Sequence, residues 1–395
     1  MQVLFLSRWF PYPPDNGSKI RIYNLLKQLA LHNDIDLISF ASEQVTAERL
    51  AEMKRLCRCV ETALYQSFQP RRLKALLGVF SWQPRFVVDT HSIELQKLVE
   101  QAGRLHSYDV VIASEIDMAA YALALPNVPR MLEELELTTL HEQFLRQRHL
   151  FIKLRYGLTW WKTSRYVEHL LHHFSNCTVV SEPERQHLLR ISPDARAQIV
   201  PNGVEMAYYS GDFGAPQADT LVFSGALTYQ ANFDAMDFFL CEIWPRVLAE
   251  RPRAKLSITG KLDGVPVHRL PHREGVVLTG YLDDIRPTVA RSWVNVVPLR
   301  IGGGTRLKIL ESLALGTPVV TTRKGVEGLE LADGRDLLLA DEPADFAAAI
   351  LRLLRDRELR AALGRQGRQT VEIKYDWHII GHQWRQLVET IARAR

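Results

Sequence analysis

Short β-branched or apolar runs, each followed by a stretch of helical character, recur along the whole chain. This alternation constrains the fold more than any other feature. The first forty residues read as a strand from Val3 to Ser7, a loop through Pro13-Pro14-Asp15-Asn16-Gly17-Ser18, a helix from about Lys19 to Leu31 and a strand from Ile35 to Phe40. Further strands are expected from Val110 to Ala113 and from Cys177 to Val180. After Pro201-Asn202-Gly203-Val204 the alternation restarts, with runs from Thr220 to Ser224, Lys255 to Thr259, Val276 to Thr279, Trp293 to Pro298 and Pro318 to Thr321. Two successive series imply an α/β protein with two doubly wound parallel sheets. The joint is placed near 201–219, where Gly203, Gly211, Gly214 and Pro216 interrupt any periodicity. The domains are therefore read as 1–200 and 201–375, followed by 376–395 as a last helix with Ile379, Ile380, Trp384, Leu387, Val388 and Ile391 at near-helical spacing.

Composition excludes more than it selects. The 49 basic and 45 acidic side chains leave a formal charge of +4, so neither half is a polycation and no nucleic-acid partner is expected. Cys57 and Cys59 form a C-x-C that matches neither redox nor zinc spacing, and with Cys177 and Cys241 they read as reduced thiols. No apolar run approaches the roughly 18 residues a spanning helix needs. Val3-Leu4-Phe5-Leu6 is too short for a signal-peptide core and is followed by prolines, so a cytoplasmic protein is expected. Asp34-Ile35-Asp36 reads as a solvent-facing turn at the start of a strand, and no metal or other cofactor is implied.

The chemistry concentrates in Pro298 to Val320, P-L-R-I-G-G-G-T-R-L-K-I-L-E-S-L-A-L-G-T-P-V-V. A strand ends at Pro298, Gly302, Gly303 and Gly304 form a loop, and a helix is expected from about Thr305 to Leu315 until Gly316 and Pro318 stop it. Glycines at a strand-to-helix turn let backbone N–H groups approach an anion, and the helix N-terminus adds partial positive charge. Arg306 and Lys308 then fall in the first turn, where cations are disfavoured unless an anion compensates them. Glu311 points back toward the loop and can accept two hydrogen bonds from a vicinal diol.

On these residues the chain resembles the retaining glycosyltransferases of family 4, which have the GT-B fold of two Rossmann-like domains with a nucleotide-sugar between them. The likeness also includes the Gly17 loop, Val180-Ser181-Glu182, Pro201-Asn202-Gly203-Val204, Phe223-Ser224-Gly225-Ala226-Leu227 and Leu278-Thr279-Gly280-Tyr281-Leu282-Asp283-Asp284. It implies donor contacts from Gly17, Gly225, Tyr281, Leu282, Gly303, Gly304, Thr305, Leu307 and Glu311. Of the family's Glu-x7-Glu pair, Glu311 matches the ribose-binding second member, whereas Gly303 stands at the first. The family's usual phosphate cations after Gly225 are missing from Ala226-Leu227-Thr228-Tyr229-Gln230-Ala231-Asn232, so Arg306 and Lys308 are expected to neutralise the diphosphate as catalytic groups. Where the family often has a histidine, Ser114-Glu115-Ile116-Asp117 stands, which makes Ser114 and Glu115 possible sugar contacts. Tyr281 could stack on a nucleobase.

The resemblance implies transfer of a hexose-like unit from a nucleoside diphosphate sugar to an acceptor hydroxyl with retention, in cell-surface polysaccharide or glycolipid synthesis. A nucleotide-sugar epimerase on the same fold and an inactive membrane-associated scaffold are the alternatives. On the acceptor side, Phe144 to Tyr166 carries Arg146, Arg148, Lys153, Arg155, Lys162 and Arg165 without an acid, interleaved with Phe151, Trp160 and Trp161. A second such stretch runs from Arg71 to Phe86. Basic amphipathic segments with Trp suit an anionic membrane surface and a lipid-linked acceptor. Equally, they fit two helices packed on the first domain with solvated cations.

Overall fold

A computed structural model describes residues 1–147 and 149–394. It divides into two compact units, the first comprising Met1–Pro201 together with the chain from Ile380 on, the second Asn202–Ile379. The first unit holds seven parallel strands: β1 (Gln2–Ser7), β2 (Asp34–Ala41), β3 (Cys59–Leu64), β4 (Val110–Ser114), β5 (Arg130–Glu133), β6 (Asn176–Val179) and β7 (Ala197–Ile199). Their order across the sheet is β3-β2-β1-β4-β5-β6-β7. Strand β1 lies centrally, and Val3, Leu4, Phe5 and Leu6 are all fully buried, as a parallel strand covered on both faces requires.

The second unit holds β8 (Thr220–Ser224), β9 (Lys255–Thr259), β10 (Val276–Gly280), β11 (Val294–Val297), β12 (Val319–Thr321) and β13 (Leu338–Leu339), in the order β10-β9-β8-β11-β12-β13. Counted within each unit, both sheets begin 3-2-1-4-5-6. In both, the direction of winding reverses between the first and fourth strands, and loops leaving the carboxyl ends of those two strands diverge to leave room for a ligand.

Two expectations are corrected. Gly17 is not in a loop: it is the first residue of the helix Gly17–Leu29, capped by the Asn16 side chain, which accepts from the Lys19 N–H. Asp36 is not in a solvent-facing turn. It is buried inside β2, where Arg58 binds both its oxygens at 3.0 and 2.5 Å and the Tyr108 hydroxyl donates at 2.7 Å. The four cysteines are unpaired, and burial pushes the thiols of Cys57 and Cys177 up to about 12. The last helix, Trp377–Arg393, begins in the second unit, where the Trp377 N–H donates to Val204 O. From Ile380 it belongs to the first unit, with Trp384 buried and its ring centroid 6.4 Å from that of Phe5. Among the described residues no helix is long and apolar enough to cross a membrane.

Candidate functional site

In the second unit the loops after β8 and β11 meet at the reversal point. Gly225, which follows β8, has φ +148°, and a Cβ there would lie 2.5 Å from Lys308 Nζ and 2.8 Å from Asn232 Nδ2. Gly260, after β9, closes on the same turn, since its Cβ would fall 2.6 Å from Ala226 N. Gly302 and Gly304, after β11, have φ of +104° and +76°, the region that favours glycine.

The helix of this segment is Leu307–Ala314, two residues shorter at its start than expected, so Arg306 is the N-cap residue and not part of the first turn. Its guanidinium is buried and turned onto the loop itself. Nη1 donates to Gly303 O and, at 2.7 Å, to Gly304 O, while Nη2 donates to Gly302 O at 2.7 Å. The expected direct role of Arg306 at a phosphate is therefore revised. In a trans peptide the carbonyl and the following N–H point in opposite directions. The N–H groups of Gly303, Gly304 and Thr305 are therefore left on the side away from the guanidinium, and Arg306 ties the loop together through its carbonyls.

Lys308 is the second cation beside this loop. Its ammonium donates to Asn232 Oδ1 at 2.7 Å and lies 4.2 Å from the centroid of the Phe223 ring. The Asn232 amide is fixed in turn by its donation to Ala226 O at 2.8 Å. Burial, reinforced by Arg306, brings Lys308 down to about 7, with Glu311 acting in the opposite direction. A partly buried ammonium near a second cation, with one neutral side-chain acceptor, is a place where a bound anion gains. Glu311, one turn further along the helix, accepts from the Tyr209 hydroxyl at 3.1 Å. Burial raises its carboxyl above the usual range, while Tyr209 and Lys308 pull it back.

The remaining expected donor residues separate into those near this cluster and those outside it. Thr305 Oγ1 accepts from Asn202 Nδ2 at 3.1 Å, tying the loop to the chain entering the unit. Leu307 packs against the unit's apolar core. Tyr281 and Leu282 follow the edge strand β10, two strands from β8; Tyr281 is exposed, with the Lys261 ammonium 5.5 Å from its ring centroid. Sequence reading missed Asn232 and Tyr209, which lie 76 residues from Lys308 and 102 from Glu311 along the chain. The exposed Tyr208 beside Tyr209, with the Arg286 guanidinium 3.8 Å from its ring, continues the same wall.

The reversal point of the first unit is acidic. Ser114 does not face a ligand: it is fully buried and donates to Glu133 Oε2 at 3.1 Å. Glu133 also receives the fully buried Arg21. Glu115 caps the helix Ile116–Ala122 with φ +69°, a backbone conformation costing of order 1–3 kcal/mol for an L side chain. Its Oε1 accepts from Trp9 Nε1 at 2.7 Å, and Arg8 pairs with neighbouring Asp117 at 3.2 Å. Burial, then Asp117, pushes Glu115 up to about 8.

Residues 218–356 match the family model "Glycosyl transferases group 1". A mannosyltransferase of Corynebacterium glutamicum, named as GDP-mannose-dependent and acting on a monoacylated phosphatidylinositol monomannoside, is 28% identical over 39% of this chain and 44% of its own length. The match thus spans less than half of that relative. An uncharacterized 44.6 kDa protein from the cps region of Klebsiella pneumoniae is 21% identical over 89% of this chain and 90% of its own. The Anabaena protein HepE, solved with UDP and glucose, superposes with a TM-score of 0.69 at 15% identity, covering 99% of this chain and all of its own.

Proposed function

We propose that this chain, a glycosyltransferase of the GT-B fold, moves a sugar from a nucleoside diphosphate sugar to an acceptor hydroxyl with retention, in the assembly of a cell-surface glycan or glycolipid. The observation that carries the reading is the cluster of Gly225, Lys308 and the Arg306-held loop at the reversal point of the second sheet, one helical turn from Glu311. A diphosphate needs bare N–H groups and a cation, and a ribose needs a carboxylate for its two hydroxyls. The cluster supplies each from a fixed element. Support for a nucleotide donor also comes from the relative that uses GDP-mannose and the structural neighbour that holds UDP.

In this reading Glu311 accepts from the ribose hydroxyls, exchanging or sharing its bond with Tyr209. The N–H groups of Gly303, Gly304 and Thr305 and the Lys308 ammonium receive the diphosphate. As the glycosidic bond breaks, negative charge grows on the leaving phosphate oxygen, and a preorganised ammonium stabilises it more than the ground state. Bound diphosphate also restores the Lys308 proton by raising its affinity for it. Glycine at position 303 leaves sugar recognition to the loop backbone; within the first unit Glu115 is the candidate for a hydroxyl contact, its carboxyl held by the Trp9 bond. Departing diphosphate takes the acceptor proton. The lipid acceptor of the Corynebacterium relative supports a lipid-linked acceptor for this chain.

A panel of nucleoside diphosphate sugars screened by thermal shift identifies the donor, since a ligand at 100 times its dissociation constant adds about 2.7 kcal/mol. Incubation of that donor without acceptor then gives slow release of free sugar with the anomeric configuration kept. Sugar changed without cleavage indicates an epimerase, and binding without any turnover in the presence of acceptor indicates a scaffold; either contradicts the reading.

A further inference from the structure

The two acid-free basic stretches of the first unit, far apart in sequence, meet in space. Neither residues 62–88 nor residues 143–167 contain an aspartate or glutamate. The helix Leu150–Leu171 turns Tyr166, Val167 and Leu170 into the core, yet exposes Leu150, Leu154, Leu158 and Trp161 along one outward stripe, with Phe151 86% exposed beside it. The turn after the helix Leu73–Leu77 lies against this helix and lifts Phe80 to 90% exposure, with Trp82 packed 5.5 Å from Tyr166 between ring centroids. Isolated apolar side chains on a surface need no explanation, but a group of this size does.

Lys162 joins the two stretches. Expected among the membrane-facing cations, it is instead buried, and its ammonium donates to Gly78 O at 3.1 Å, Val79 O at 2.6 Å and Ser81 O at 2.6 Å. Arg85 takes Ala75 O and Pro70 O, while the N–H groups of Gly78, Val79 and Phe80 donate to Lys74, Leu76 and Leu77. The turn that carries the most exposed phenylalanine therefore has its backbone polar groups bonded from within. Water would satisfy such groups at no structural cost; an apolar medium would not, and irregular backbone enters one only when bonded internally.

The cations around the patch decide the occupant. Arg146 and Arg165 are paired with Glu142 and Glu168, Arg72 with Asp89, and Arg148 lies outside the described residues. Arg71, Lys74, Lys153 and Arg155 are exposed and form no ion pair among the described residues. We infer that these two stretches form one surface that seats the first unit on an anionic bilayer, with Phe80, Phe151 and Trp161 at the boundary of the acyl chains and the four cations among the headgroups. An apolar patch ringed by unpaired cations without acids matches anionic headgroups over acyl chains. The surface stands independently of the donor chemistry, and its test reads no sugar transfer.

The test is co-sedimentation of the full chain with vesicles of phosphatidylglycerol and phosphatidylcholine, and with phosphatidylcholine alone. Binding is expected to the anionic vesicles only and to weaken in high salt, each removed cation costing about fivefold. F80S/F151S, two exposed positions, should weaken binding at least tenfold with an unchanged thermal melt. Lys162→Met removes no exposed charge or apolar group, yet should also weaken binding by exposing the turn's carbonyls to the bilayer. Wild type that does not bind, that binds both vesicles equally, or that binds undiminished in F80S/F151S overturns the inference. So does a vesicle-free dimer that F80S/F151S converts to monomer, which assigns the patch to a second copy.

Discussion

The two sheets offer the same topological position and fill it with opposite chemistry. In the second unit the positive φ values at the reversal point fall on Gly225, Gly260, Gly302 and Gly304, and the charged groups nearest them are buried Arg306 and partly buried Lys308. In the first unit positive φ falls on Glu115 and Glu134; fully buried Arg21 pairs with Glu133, Arg8 pairs with partly buried Asp117, and Glu115 is pushed up to about 8, so that it is a neutral acid at pH 7. Glycine removes side chains so that backbone can approach an anion, as the proposed diphosphate requires, whereas glutamates at positive φ put carboxyl side chains at the turn. On the proposed function the diphosphate belongs to the glycine-lined position.

The largest effect that would sharpen this contrast is at Lys308. Lys308→Ala should lower turnover by roughly 10²–10³-fold, as loss of one preorganised group facing developing charge does, with a smaller loss of donor affinity. Steady-state kinetics and calorimetry separate the two, and equal losses in both would reduce Lys308 to a ground-state contact. Next comes Arg306→Lys. A single ammonium nitrogen cannot reproduce a fork whose two nitrogens reach Gly302 on one side and Gly303 and Gly304 on the other, so the loop should loosen and donor affinity fall about tenfold; unchanged affinity would return Arg306 to a purely local cap.

A smaller effect is expected from pH. Lys308 is brought down to about 7 in the ligand-free protein, so it is charged below pH 7 and neutral above. A diphosphate binds the charged form, and nucleoside diphosphate affinity should therefore fall roughly fivefold between pH 7 and 8. Asn232, Arg306 and Glu311 surround the group, and Lys308→Arg, which cannot deprotonate, should flatten the profile. A wild-type profile already flat through this range would break the argument. The smallest effect is at Glu115. Relief of its φ strain in Glu115→Gly should raise the melting temperature by a few degrees, while turnover with acceptor falls and nucleoside diphosphate affinity stays constant. A melting temperature that falls would show that the Trp9 bond outweighs the strain.

The sequence was most legible where secondary structure and chemistry are local. Thr220–Ser224 and Lys255–Thr259 are β-branched, buried runs between helical stretches, and their bounds are those the pattern implies. Cys59–Leu64 was missed because it is an edge strand with polar Glu61 and Thr62 in it, and Arg130–Glu133 because four residues after two prolines give too short a run. The segment from Gly302 to Glu311 announced its loop and helix because turn glycines, cap and charges lie within ten residues. What escaped was everything that long-range packing decides: that Arg306 bonds the loop carbonyls, that Ser114 and Lys162 lie in the interior, and that Asn232 and Tyr209 come to Lys308 and Glu311 from a distant helix and a distant turn.

The most direct measurement compares nucleoside diphosphate binding, by calorimetry at pH 7, in Glu311→Ala and Glu115→Gln. Glu311→Ala removes charge-assisted hydrogen bonds to the ribose of roughly 1.5–3 kcal/mol, so affinity should drop tenfold or more while the melt is retained. Glu115→Gln should bind as the wild type does. Unchanged binding in Glu311→Ala, or an equal loss in Glu115→Gln, would contradict the assignment of the nucleotide to the second unit's glycine-lined reversal point.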